Sequence, residues 1–66
     1  MSQLYNMKLR VEAKIVSEKL DPTVINGKLG LKTGLLVSLI TPNTPDRPEQ
    51  IVKFKAAAKE LLNISL

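Results

Sequence analysis

Side chains able to do chemistry are few in this chain. The acids are Glu12, Glu18, Asp21, Asp46, Glu49 and Glu60, and there is no His and no Cys. Acid–base catalysis near neutral pH draws most often on His. A carboxylate could replace it only if a deep apolar pocket raised its pKa. Each acid has a plainer reading. Asp21 sits in a turn, Asp46 and Glu49 at a helix start, and Glu12, Glu18 and Glu60 are solvated charges. No motif supplies the neighbouring base that a Ser or Thr nucleophile needs. A zinc or other transition-metal site would have to use carboxylates and carbonyls alone. The chain therefore reads as non-catalytic, with no cofactor and no metal.

The segment Gly27-Lys28-Leu29-Gly30-Leu31-Lys32-Thr33 invites a phosphate-binding reading. The nucleotide loop requires Gly, four residues, then Gly-Lys-Ser/Thr, so that backbone amides wrap the phosphates before the Lys reaches them. Here Lys32 follows Leu31, and the spacing fails. Gly27-Lys28-Leu29-Gly30 also resembles the four-residue loop with which KH domains clamp a nucleic-acid backbone. That loop joins two helices, whereas Pro22 and Asn26-Gly27 argue for strands. The plain reading is two glycines serving a turn and a bulge.

Charge is the remaining signal. Ten Lys and Arg against six acids give a net charge of +4 over 66 residues, spread along the chain without a basic block. A mild positive bias permits an acidic partner without requiring one. The cations gain meaning from the elements that place them. Tyr5, Met7, Leu9, Val11, Ala13 and Ile15 alternate with Asn6, Lys8, Arg10, Glu12 and Lys14. A period of two predicts a strand with one apolar and one charged side. A helical stripe of Leu4, Met7, Val11 and Ile15 is the rival, but it leaves Leu9 and Ala13 outside.

Leu20-Asp21-Pro22-Thr23 reads as a turn and Val24 to Leu29 as a hairpin around Asn26-Gly27, the pair that best supplies a type I′ turn. Thr33-Gly34 reads as another turn, and Leu35 to Thr41 as an apolar strand. Pro42 and Pro45 stop that strand. A helix begins at Asp46 to Pro48, with Ile51, Phe54, Ala58, Leu61 and Leu62 on one stripe and Lys53, Lys59, Glu60 and Asn63 facing away. Asp46 as N-cap would form a capping box with Glu49. The expected fold is α+β in one domain over 1–66: an antiparallel sheet of three to four strands over about 4–41, and one C-terminal helix over about 47–64 packed on one face (β-β-β-β-α).

In that fold Lys8, Arg10, Lys14, Lys28 and Lys32 share the open sheet face and could hold phosphates with strong salt dependence. The layout is similar to that of the single-stranded-DNA-binding coactivator and Whirly families, which implies nucleic-acid binding; the similarity is one of layout, without shared motifs. Against it, Tyr5 and Phe54 are the only aromatics, and both are needed in the core, while single-strand binders stack bases on such rings. The first expectation is thus a small DNA- or RNA-binding or regulatory protein. The alternative is a structural or adaptor protein that assembles with other proteins through an edge strand and an apolar sheet surface. A strand twice the usual length predicts a homodimer or small homo-oligomer. Asn63-Ile64-Ser65 fits a glycosylation sequon. No signal peptide or membrane-spanning run is read, and the absence of Cys suits a reducing cytoplasm.

Overall fold

A computed structural model describes residues 2–66, so the domain read over 1–66 is described from its second residue. Among the described residues there is no strand. The order is α1 (Gln3–Ser17), α2 (Pro22–Thr33), a 3-10 turn (Val37–Leu39) and α3 (Pro48–Leu62). The expected sheet, hairpin and edge strand are absent, and with them the layout likened to the single-strand DNA-binding families.

The alternation in the first segment loses to the helical stripe that competed with it. Leu4, Met7, Val11 and Ile15 are buried, whereas Leu9 and Ala13 face outward. Positions spaced by three and four lie on one side of a helix. Charges agree, because Lys8 pairs with Glu12 and Lys14 with Glu18 at four-residue spacing. Such pairs contribute only ~0.2–0.5 kcal/mol each, less with Lys first, so burial decides the outcome.

Residues read as turns serve as helix caps. At the start of α2 the Asp21 carboxylate accepts from the Thr23 amide at 3.0 Å, and Pro22 occupies the first turn, where a missing N–H costs nothing. Gly34 ends α2 at φ 74°, a left-handed cap, with its amide donating to the Gly30 carbonyl at 2.9 Å. The close of α1 gave no glycine signal. There Lys19 takes φ 54°, while the Leu20 amide donates to Ile15 O at 2.9 Å and the Lys19 amide to Val16 O at 3.2 Å. That is the Schellman arrangement, held with a non-glycine residue in the left-handed position.

Asn26-Gly27 lies inside α2 despite its hairpin preference. Leu29 and Thr33, a turn apart, are buried and fix the helix against the rest of the core. Tertiary burial has overridden local propensity. The expected strand Leu35 to Thr41 is instead the 3-10 turn with extended flanks. Val37 and Ile40 are buried while Leu36 and Leu39 face solvent, the three-residue period of that geometry.

The last helix, Pro48–Leu62, lies within the 47–64 span read from its stripe, and it buries Phe54, Ala57, Ala58 and Leu62. Its N-cap is Arg47, without a side-chain bond, so the Asp46–Glu49 capping box does not form. Asp46 caps α1 instead. Its carboxylate accepts from the Gln3 amide at 2.8 Å, the Leu4 amide at 3.0 Å and Ser2 Oγ at 3.1 Å. These bonds, led by that from Gln3, hold its pKa below the ordinary value.

Leu4, Leu29, Val11, Val37 and Phe54 form the centre of one core drawn from all four elements. The accessible surface is 4343 Å². A compact monomer of this mass exposes about 4,200 Å². The chain thus buries an ordinary share of its surface without a partner.

Candidate functional site

The five cations expected on one sheet face are distributed over two helices, and most have partners within the chain. Lys8 Nζ, on α1, donates to Ile40 O at 2.9 Å and Ser38 O at 3.3 Å, and lies 3.8 Å from Glu12 Oε1. Its side chain is only 15% exposed. Arg10 donates to Ser65 O at 3.3 Å, and Lys14 pairs with Glu18. Lys32, on α2, meets Glu60 of α3 at 3.0 Å. Lys28 alone of the five has no hydrogen-bond or ion-pair partner among the described residues. These five therefore do not form the flat cationic face expected of them, and nucleic-acid binding has no support from the arrangement.

Lys8 has a different task. It crosses from α1 to the carbonyls of the 3-10 turn and fixes that turn in place. Charge-assisted bonds to carbonyls otherwise facing a partly buried space are among the stronger hydrogen bonds. Its partner, the turn, forms one wall of the larger surface concavity.

That concavity, about 330 Å³, lies between the first two turns of α2 and the 3-10 segment. Pro22, Thr23, Asn26 and Gly27 line one side, and Leu36, Val37 and Ser38 the other. No lining residue is charged. Leu36 is 68% exposed, and Leu39, one 3-10 turn onward, is 67% exposed. Residues three apart stack on one side of a 3-10 helix, so the pair extends the apolar surface.

Gly27 stands out among the three glycines. A Cβ on Gly30 would lie 2.9 Å from Leu35 O, and Gly34 needs its positive φ. At Gly27 a Cβ would meet nothing within 4 Å, and φ is helical. The fold makes no use of the missing side chain, yet glycine inside a helix costs about 0.5–1 kcal/mol relative to alanine. Beside it, Asn26 Oδ1 is enclosed and has no hydrogen-bond partner. Unpaired buried acceptors are uncommon and costly. Both features lie where α2 lines the concavity.

Sequence reasoning singled out Gly27 and Asn26, but as a turn. It missed the concavity, because Leu36 and Leu39 are distinguished from Val37 and Ile40 only by the 3-10 period. It also missed Asp46 as a long-range cap. Among the described residues no group of His, Cys, Asp and Glu is placed to hold a metal. A shallower hollow between α2 and α3 is lined by Lys32, Lys53, Ala56, Ala57 and Glu60, with the Lys32–Glu60 pair across it. Among the described residues no helix is long and apolar enough to cross a membrane. No protein-family model, curated protein or solved structure matches this chain.

Proposed function

We propose that the chain is a non-catalytic interaction module of the adaptor kind, which receives an aliphatic side chain of a partner protein in the concavity between α2 and the 3-10 turn. The reading rests on one observation. An uncharged hollow bordered by exposed Leu36 has on its α2 side a helical glycine, at which the fold makes no use of the missing side chain. Small apolar sites of this kind gain affinity by removing such surface from water. The route differs from the edge strand and sheet surface expected for an adaptor, because the described residues contain neither element. The uncharged lining matches an apolar group and offers no counter-charge to a phosphate.

Titration with 4-methylpentanamide, a leucine side chain carried on one amide, tests the proposal by NMR. Shifts confined to Thr23, Asn26, Gly27 and Leu36 to Ser38 are expected, and Gly27→Leu, which fills the hollow, should abolish them. Absence of shifts at tens of millimolar, or shifts that survive Gly27→Leu, would remove the reading.

A further inference from the structure

We infer that the first two turns of α2, Pro22 to Lys28, open as a unit smaller than the domain, moving one wall of the concavity while the remaining helices stay folded. Four observations converge on this stretch. Thr23, Val24 and Ile25 are β-branched, and Asn26 and Gly27 follow, so five successive residues are weak helix formers. Val24 is 47% exposed, and only Ile25 and Asn26 are even half-buried, so little burial compensates. Asn26 Oδ1 is enclosed without a partner, and opening lets water reach it. The hollow of about 330 Å³ lies beside these turns, so packing atoms are sparse on that side.

The second half of α2 differs at each point. Leu29 and Thr33 are buried. Thr33 Oγ1 donates to Leu29 O at 2.7 Å and accepts from the Leu35 amide at 3.3 Å. Gly30 packs against the Leu35 carbonyl, and Lys32 is tied to Glu60. The boundary of the moving unit therefore falls between Lys28 and Leu29. Proteins open in contiguous units of unequal stability, and elements with little burial open first. The local sequence favours a different geometry at Asn26-Gly27, which lowers the cost of leaving the helix.

Native-state hydrogen exchange of the full chain, followed by NMR at rising sub-denaturing urea, tests the inference. Amides of Ile25 to Lys28 should exchange at least tenfold faster than those of Val11, Ile15, Phe54 and Ala58. Their rates should stay nearly flat with urea, because a small opening exposes little surface, while the core amides speed up. Asn26→Leu, which removes the unpaired acceptor, should slow exchange of this stretch at least threefold; Gly27→Ala should slow it about two- to fivefold. One common urea-dependent curve for all these amides overturns the inference, as does unchanged exchange in both variants. The result is independent of the ligand titration. Local opening without probe binding would defeat only the proposed function, and binding without local opening would defeat only this inference.

Discussion

Gly27→Ala changes stability in opposite directions for the two geometries that Asn26-Gly27 can adopt. In α2 its φ is negative and a Cβ meets nothing within 4 Å. Alanine there loses less backbone entropy on folding and gains about 0.5–1 kcal/mol. A type I′ hairpin turn would instead hold Gly27 at positive φ, where a Cβ costs roughly 1–2 kcal/mol. The two structures thus differ by about 1.5–3 kcal/mol in expected effect, with opposite signs. Urea and thermal unfolding by far-ultraviolet circular dichroism measure it directly. For a domain of this size each kcal/mol moves Tm by about 4–8 °C, so a rise of about 2–8 °C is expected. Gly30→Ala is the internal control. Its Cβ would press to 2.9 Å on Leu35 O, a backbone atom. Overpacking costs about 1–3 kcal/mol against a helical gain below 1, so Gly30→Ala should lower Tm. A Gly27→Ala variant less stable than wild type would refute the helical assignment of α2 and everything built on its first turns.

Two further outcomes test the contacts that join distant segments. The folded-state pKa of Asp46 lies below its ordinary 3.8, so its capping contribution is complete above that value and lost as pH falls through the depressed one. The Tm difference between wild type and Asp46→Asn should accordingly be constant near neutrality and shrink in acid; a difference unaffected by pH would show that the charge does not stabilise α1. Lys8→Met should cost about 1–2 kcal/mol, from two carbonyls that lose a charged donor. Its largest chemical-shift changes should fall on Leu36 to Ile40, and wild-type shifts there would mean that Lys8 does not hold the 3-10 turn.

The last helix was legible because two independent signals coincide. Pro48 suits only a first turn, and the Ile51, Phe54, Ala58 and Leu62 stripe has a single period that fits. The caps of α2 were visible as residues but ambiguous in meaning, since Asp-Pro and Thr-Gly start and stop helices as readily as they turn chains. In the first segment, apolar residues at Met7, Leu9, Val11, Ala13 and Ile15 satisfy a strand, while Leu4, Met7, Val11 and Ile15 satisfy a helix. Met7, Val11 and Ile15 belong to both patterns. The four-residue spacing of Lys8 with Glu12 and Lys14 with Glu18 was the sequence signal that favoured the helix.

Taken alone, the sequence determined the aliphatic character of the core, the position of the last helix and the absence of imidazole or thiol chemistry, because these follow from residue types and from one unambiguous period. Tertiary structure decided the rest. Local preference at Asn26-Gly27 amounts to a kcal/mol or so, and the burial of Leu29 and Thr33 outweighs it. Tertiary packing also brought Lys8, Arg10 and Lys32 to carbonyls and a carboxylate of distant segments, whereas Lys14 pairs locally with Glu18. Contacts between distant segments of this kind, such as that of Asp46 with Gln3 at the start of α1, 43 positions away, are encoded by no local pattern.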